Sequence, residues 1–202
     1  MSASVEYSTK ESYGIILKNT LLMCKRRGLI GNIDDVYNKY QDDFINKNII
    51  EFEALNKSKI SINIFNGKII SIVQGSQLDE YLKKNVDVHK ILIMKFASKR
   101  SVKQITNEYV NAEFFFEHEM MEDIPSKLFI SEHILLSESE RTDFFTQFKE
   151  SDIAKINSTD IMCRHYNAKI GDVFKIIRPS LSAGKNIFYR RVVQGNLEQI
   201  FG

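Results

Sequence analysis

One stretch of the sequence decides the fold of the C-terminal part of the chain, and it reads Ile156-Asn-Ser-Thr-Asp-Ile-Met-Cys-Arg-His-Tyr-Asn-Ala-Lys-Ile-Gly-Asp-Val-Phe-Lys-Ile-Ile-Arg-Pro-Ser-Leu-Ser-Ala-Gly-Lys-Asn-Ile-Phe-Tyr-Arg-Arg-Val-Val193. Its first part predicts a short helix, because Ser158 or Thr159 can cap such a helix and Asp160 suits its positive N-terminal end. Gly171 tolerates a left-handed backbone, which allows the chain to turn after the helix.

The second part of this stretch predicts a hairpin. Val173 to Arg178 alternates as a strand, and we expect Pro179 to end it because proline cannot donate to a sheet ladder. Ile187 to Val193 is rich in β-branched and aromatic residues and is predicted as the returning strand. The loop between them runs from Ser180 to Asn186, with Gly184 at its centre.

This stretch is also more basic than the rest of the chain. Between residues 160 and 193 there are seven cations and two anions, a balance of about +5 in a chain whose formal net charge is +2. Such a skew points to an acidic or nucleic-acid-bearing partner. The seven cations are Arg164, Lys169, Lys175, Arg178, Lys185, Arg190 and Arg191.

The order of residues resembles one protein family. The run Lys175-Ile-Ile-Arg-Pro-Ser180, then Ala183-Gly184 and Tyr189-Arg190, is similar to the signature of a polymerase subunit's C-terminal domain. That subunit is the fifth of the eukaryotic multi-subunit DNA-dependent RNA polymerases, and its archaeal counterparts consist of this domain alone. Glu132-His-Ile-Leu-Leu136 is similar to a second landmark of the family.

The resemblance implies an α+β (mixed α/β) fold in two domains, an N-terminal mixed-sheet jaw domain at residues 1–126 and a small C-terminal assembly domain at residues 127–202. It implies a non-catalytic subunit, without cofactor or metal, that docks on the largest subunit and lies near downstream duplex DNA during transcription. The subunit-interface candidates are Asp160, Arg164, Tyr166, Gly171, Lys175, Arg178, Pro179, Ser180, Gly184, Tyr189 and Arg190. We expect Arg164, Arg178 and Arg190 to form buried or interfacial hydrogen-bonded pairs, or salt bridges within the domain.

Basic residues in the first 126 positions supply candidates for DNA contact. One group is a triplet at the end of the first predicted helix, where cations also favour the helix dipole. The second group surrounds a strand-to-helix connection, where it forms either a solvated face or a patch that attracts phosphates. The DNA-proximal candidates are Lys25, Arg26, Arg27, Lys95, Lys99, Arg100 and Lys103.

The same region predicts two helices before its first strand. Ser8 and Glu11 form a capping box for a helix that Gly28 stops. A second helix begins at Asn32, with Asp35 completing its cap. Its buried side is predicted to carry Val36, Tyr37, Tyr40 and Phe44.

The following segments predict a mixed sheet. Ile60 to Ile64 and Lys68 to Val73 flank Asn66-Gly67, the strongest short hairpin signal. The remaining elements are a helix from Ser76 to Lys84, a buried strand at Lys90–Phe96, a helix opened by a capping box at Ser101–Gln104, and an extended segment at Asn111–Met121. Strand, helix and strand in succession favour a βαβ-like crossover.

The best boundary between the two domains is Glu122–Ser126, which combines charges with a proline. Beyond it we expect a strand from Leu128. A capping box at Ser137–Glu140 then opens a helix that buries aromatic side chains, namely Phe144, Phe145 and Phe148.

Bulk properties narrow the class of protein. A hydrophobic content of 43% is enough for a packed core, and no apolar run approaches the ~20 residues of a membrane helix. The first ten residues lack the apolar core of a signal peptide, and Cys24 and Cys163 favour free, buried thiols in a reducing compartment. We expect an intracellular protein, in the virion and host cytoplasm if it comes from a large DNA virus and in the nucleus if it is cellular.

Catalytic motifs are missing from the sequence. Cys163 and His165 lie two residues apart on a predicted helix, which suits a packed thiol beside a surface imidazole better than a shared metal. No Asp or Glu has a lysine two residues later, so the metal-nuclease pattern is absent. The Phe114–Phe116 run indicates core more than a stacking platform for bases. The alternative function is a free-standing nucleic-acid-binding module that reuses the same fold.

Overall fold

A computed structural model describes residues 7–180 and 184–201. The chain forms two compact units, residues 1–123 and residues 124–202, and the division lies inside the segment Glu122–Ser126. Each unit contains a four-stranded sheet with both parallel and antiparallel pairs, flanked by helices. The predicted mixed α/β fold class is confirmed.

The first unit is a mixed sheet with helical crossovers. Its strands lie in the order β1-β2-β3-β4; β1 and β2 are antiparallel, whereas β2, β3 and β4 are parallel. The crossovers therefore contain helices, as the sequence predicted. The elements are α1 (Thr9–Arg26), α2 (Ile33–Lys47), β1 (Ile49–Glu53), β2 (Lys59–Ile69), α3 (Gln77–Lys83), β3 (Val88–Ala97), α4 (Lys99–Glu108), β4 (Ala112–Phe116) and α5 (Glu117–Met120).

Helix starts in this unit follow local capping chemistry. The capping box of Ser8 and Glu11 on α1 is confirmed, and Asn32 caps α2 by accepting from the backbone N–H of Asp34. The predicted start of α4 at Ser101 is wrong. Ser98 is the cap, and Ser101 lies inside the helix, where its hydroxyl donates to the Ile69 carbonyl. Either serine could cap a helix, and the hydrogen bond of Ser101 to β2 leaves Ser98 as the N-cap.

The hairpin predicted at Asn66-Gly67 is wrong. Strand β2 continues through these residues and pairs with β3 on both sides of them, so Asn66-Gly67 forms a bulge between Phe65 and Lys68. Gly67 has φ +139°, which suits a bulge glycine. The real hairpin joins β1 to β2, and β1 is a strand that the sequence did not predict. Pairing with a distant strand, rather than the local turn signal, decides this segment.

The core of the first unit lies around β3 and α1. Ile91 to Met94 are fully buried, and Phe114 to Phe116 are buried beside them, which confirms that the phenylalanine run is core. On α2 only Phe44 is fully buried. The other three aromatic and aliphatic positions predicted to be buried on α2 are half-buried.

The second unit is smaller and has a sheet of order β5-β7-β8-β6. Strand β8 is antiparallel to β7 and parallel to β6. The elements are β5 (Glu132–Leu135), α6 (Glu138–Gln147), β6 (Ala154–Asn157), α7 (Ile161–His165), β7 (Val173–Ser180) and β8 (Gly184–Val193).

Several predictions for this unit need correction. The strand expected from Leu128 begins at Glu132, because the preceding residues form turns and Phe129 is exposed. The capping box of Ser137 and Glu140 is confirmed, but α6 buries Phe144 alone and leaves Phe148 47% exposed. The cap of α7 is Asp160, whose side chain accepts from the backbone N–H of Met162, rather than the residues before it. Strand β6 was not predicted.

Two apolar clusters cover opposite faces of this sheet, since neighbouring residues of a strand point to opposite sides. Phe174 and Val192 pack with Cys163 of α7, and Val173 packs with Phe144 of α6. Cys24 and Cys163 are free and buried, as predicted. His165 is only 2% exposed, so the surface position expected for its imidazole is wrong.

None of the described helices is long and apolar enough to span a membrane.

Candidate subunit-docking site

Strands β7 and β8 extend beyond the strands that flank them. Strand β5 pairs with β7 only as far as Ile177, and β6 pairs with β8 only from Arg190 onward. Residues 178–180 and 184–189 therefore form a two-stranded ribbon with no third strand among the described residues. We call this part the ribbon. Residues 181–183, which include the Ala183 of the sequence signature and three of the seven residues of the predicted loop, lie outside the described residues.

Pro179 lies within β7 and does not end it, so that prediction is wrong. In an antiparallel ladder the backbone groups of successive residues point alternately to the two neighbouring strands. The Val173 carbonyl accepts from Leu136 on the β5 side, so odd-numbered residues of β7 face away from β8. The missing N–H of Pro179 belongs to that outer side, beyond the end of β5, and the ladder with β8 loses no hydrogen bond.

The same alternation leaves an open edge on β8. The N–H of Val192 donates to Asp172, and its carbonyl accepts from Gly171, so even-numbered residues of β8 face β7. Lys185 and Ile187 consequently direct their backbone N–H and C=O groups to the outer edge of the ribbon. Pairing with β6 begins only at Arg190.

A cleft of about 470 Å³ follows this edge. Its walls are aromatic: the ring of Phe144 lies 4.7 Å from that of Phe148 and 4.6 Å from that of Tyr189. Ile187 and Phe188 also line it and are 52% and 45% exposed. Because these two neighbours lie on opposite faces of β8, the cleft wraps around the strand edge rather than lying on one face.

Positive charge surrounds the cleft. The guanidinium carbon of Arg178 lies 5.2 Å from the centre of the Phe188 ring, a cation–π distance. Arg190 is half-buried in the cleft wall, and Lys185 is exposed near the start of β8, outside the lining of this cleft. Within the described residues no carboxylate forms a salt bridge with these three cations. Asp152 is the carboxylate in the lining.

The other interface candidates lie around α7 and the turn that follows it. Tyr166 packs edge-to-face on Phe174, with ring centres 5.6 Å apart, and Asp160 caps α7. Gly171, with φ +94°, donates its N–H to the Val192 carbonyl. Arg164 and Lys175 are half-buried, Ser180 is the last described residue of β7, and Gly184, with φ +71°, begins β8. Most of these residues make contacts within the unit, whereas the exposed aromatic, aliphatic and cationic side chains described above lie on the ribbon.

One residue of this region was missed by sequence reasoning. The carboxylate of Asp172 accepts from Arg141 and from the backbone N–H of Lys169. It thereby ties α6 to the turn before β7. Arg141 lies 31 residues away, so no local signal identified the pair.

Two of the DNA-proximal candidates contact carboxylates of their own unit. The Nη2 of Arg27 lies 2.8 Å from Oε2 of Glu113, and Oε1 of the same carboxylate lies 2.8 Å from Nε2 of His89. Burial alone would raise the pKa of Glu113, but Arg27 and His89 lower it to about 2. Arg26 forms a bidentate pair with Asp123, with 2.6 Å between Nη1 and Oδ1.

The remaining DNA-proximal candidates are exposed. Lys95 lies near the end of β3, and the three that follow it lie on the first turns of α4. The side chain of Phe96, which lies between Lys95 and Lys99 in the sequence, is also exposed. The exposed members are Lys25, Lys95, Lys99, Arg100 and Lys103.

Comparison with known proteins gives a consistent result. The family described as RNA polymerase Rpb5, C-terminal domain, matches residues 122–192. DNA-directed RNA polymerase subunit 5 of Acanthamoeba polyphaga mimivirus is 28% identical over 196 residues, covering 92% of this chain and 94% of that protein. DNA-directed RNA polymerase subunit Rpo5 of Methanothrix thermoacetophila is 38% identical over 66 residues, 32% of this chain and 85% of that protein.

A eukaryotic relative matches over a shorter span. Subunit RPABC1 of DNA-directed RNA polymerases I, II and III from Caenorhabditis elegans is 32% identical over 99 residues. That span is 48% of this chain and 46% of the worm protein, so the similarity covers about half of each.

Proposed function

Because the chain belongs to the family of the fifth subunit of DNA-directed RNA polymerases, we propose that it is a non-catalytic structural subunit that docks on the largest subunit of its polymerase. Residues 124–202 supply the docking surface and residues 1–123 form a jaw-like part near downstream duplex DNA. The nucleotidyl transfer is carried out by other subunits, and this chain contributes assembly and position.

The ribbon is the observation that carries the docking proposal. It combines exposed aromatic and aliphatic side chains with cations that have no salt-bridge partner within the described residues. Such a composition suits a protein interface, where apolar anchors and arginine are enriched. The Methanothrix relative supports the assignment, because 85% of its length aligns to this chain. The family match at residues 122–192 covers most of this unit, which supports placing the docking function there.

The jaw proposal rests on the exposed cations near β3 and α4. Lysine and arginine attract phosphates without regard to sequence, and their effect weakens as salt rises. A formal net charge of +2 on the whole chain indicates weak binding by the isolated protein. Arg26 and Arg27 are not part of the proposed surface, because they form salt bridges with Asp123 and Glu113.

Purification of the tagged chain from its native source in high salt tests the docking proposal. We expect the two largest polymerase subunits to be recovered in stoichiometric amounts. Recovery of the chain alone, together with a shift of duplex DNA by the isolated protein, would replace the proposal with the free-standing nucleic-acid-binding module.

Similarity to the mimivirus subunit extends over nearly the whole chain. It supports the proposal that this polymerase is encoded by a large DNA virus. Sequencing the large subunits recovered in the same purification distinguishes a viral from a nuclear cellular polymerase. A viral origin places the protein in the virion and host cytoplasm, and a cellular origin places it in the nucleus.

A further inference from the structure

We propose that the outer edge of β8 at residues 185–189 is completed in the assembled polymerase by an extended segment of the largest subunit, which adds as a further strand. This inference rests on the proposed function, and it names the mode of docking and the chemistry of the docked segment. That segment carries alternating apolar and acidic side chains.

Backbone geometry is the first reason. An open strand edge offers a row of unpaired N–H and C=O groups, which an incoming extended segment can pair with. Lys185 and Ile187 direct these groups outward, and the edge spans five residues, about 16 Å at the rise of a β-strand. Strand β6 does not cover it, because the residues before Ala154 form a 3₁₀ helix, Glu150–Asp152, and line the cleft instead.

Side-chain placement is the second reason. An added strand projects its side chains alternately to the two faces of the sheet, and the cleft also has walls on both faces of β8. One wall holds Tyr189 and Phe144, and the other holds Phe188 beneath the guanidinium of Arg178. Apolar side chains of the partner would pack on the rings of one face. On the other face, carboxylates would meet Arg178 and Arg190, which lack a salt-bridge partner within the described residues.

Substitution of Ile187 by proline tests the backbone contact. Ile187→Pro removes an outward N–H and leaves the ladder with β7 intact, as Pro179 does on the neighbouring strand. Ile187→Ala is the matched control, since it removes most of the side chain and keeps the N–H. We would measure the affinity of each full-length variant for a polymerase assembly that lacks this subunit.

The expected result is a loss of about 10-fold or more for Ile187→Pro relative to Ile187→Ala, as for the loss of a desolvated hydrogen bond. Equal affinities of the two variants would overturn strand addition and leave docking itself standing. If the unsubstituted chain does not bind the assembly, both the proposed function and this inference are wrong.

Thermal unfolding shows whether Ile187→Pro folds. If it does not, a second variant tests the proposal. Arg178→Glu together with Arg190→Glu keeps every backbone group and reverses two charges in the cleft. An acidic partner segment predicts a further large loss of affinity, whereas Lys10→Glu with Lys18→Glu on α1 makes the same charge change and leaves the affinity unchanged. Unchanged binding by the Arg178/Arg190 variant would exclude an acidic partner at this edge.

Discussion

A single buried carboxylate organises the charges at the end of α1. Glu113 on β4 accepts from Arg27, the C-cap residue of α1, and from His89 of β3, so it joins three elements. The side chain of Arg27 is only 5% exposed. Removing one member of a buried pair leaves the other charge without compensation, which is more costly than the pair's net contribution. Arg27, the last cation of the triplet at the end of α1, is therefore part of the core's polar structure, whereas Lys25 stays exposed.

Glu113→Gln tests this role. We expect the free energy of unfolding to fall by about 3 kcal/mol or more, because the guanidinium of Arg27 stays buried beside a neutral amide. Urea unfolding of the full chain measures the change. Glu53→Gln, an exposed glutamate on β1, is the control and should change the free energy by less than about 0.5 kcal/mol. Equal effects of both substitutions would show that the pair adds nothing specific.

The low pKa of Glu113 predicts a pH dependence of stability. Its pKa is about 2 in the folded chain, against a reference value of 4.5. A carboxyl group with a depressed folded-state pKa stabilises the fold fully above the unfolded pKa, and the contribution is lost as pH falls toward the folded pKa. The gap in unfolding free energy between the unsubstituted chain and Glu113→Gln should be constant near pH 7 and narrow between about pH 4.5 and 2. A gap that widens on acidification would contradict this.

At the scale of single elements, long-range pairing overrides local signals. The segment around Asn66-Gly67 has the residues of a hairpin turn, yet both of its sides pair with β3. The hydroxyl of Tyr13 on α1 also hydrogen-bonds the Asn66 side chain, which ties the bulge to the helix. A turn at this position would remove Lys68 and Ile69 from their pairing with β3. Sheet pairing therefore decides between a hairpin and a bulge.

Gly67→Ala should destabilise the first unit by about 1–2 kcal/mol, since φ +139° strains any residue with a Cβ. A Cβ at this position meets no atom within 4 Å, so the expected effect comes from the backbone alone. Gly31→Ala is the matched control, because it has equal open space and no positive φ. Thermal unfolding measures both. Identical melting temperatures of the two variants would argue against a strained bulge.

At the scale of the whole molecule, the two units divide the proposed work between assembly and DNA. In the assembled polymerase, Lys99→Gln with Lys103→Gln should lower the affinity for downstream duplex DNA by a similar factor for every DNA sequence. Loss of two phosphate contacts should reduce the slope of log affinity against log salt by about 2. Fluorescence anisotropy with labelled duplex across a salt series measures the slope. Lys10→Gln with Lys18→Gln changes charge equally on another surface, and an equal change in slope would reject a local contact.

The sequence alone predicts features that depend on neighbours in the chain. It predicted the capping boxes that start α1 and α6, because a serine and a glutamate three residues later interact only with their own turn. It also predicted the strand–helix–strand order of the first unit and the buried run at Phe114–Phe116. The order of residues in the final stretch indicated the polymerase family, which the comparisons confirmed.

Features that depend on residues far apart in the chain come from the tertiary structure. It turned a predicted hairpin into a bulge through pairing with β3, and it added β6, a short strand held by pairing with the distant strand β8. It buried Arg27 against Glu113, 86 residues away, and it left the edge of β8 open because the pairing with β6 begins only at Arg190. Capping is a contact within one turn and can be predicted from adjacent residues, whereas burial and strand edges depend on which distant segments meet.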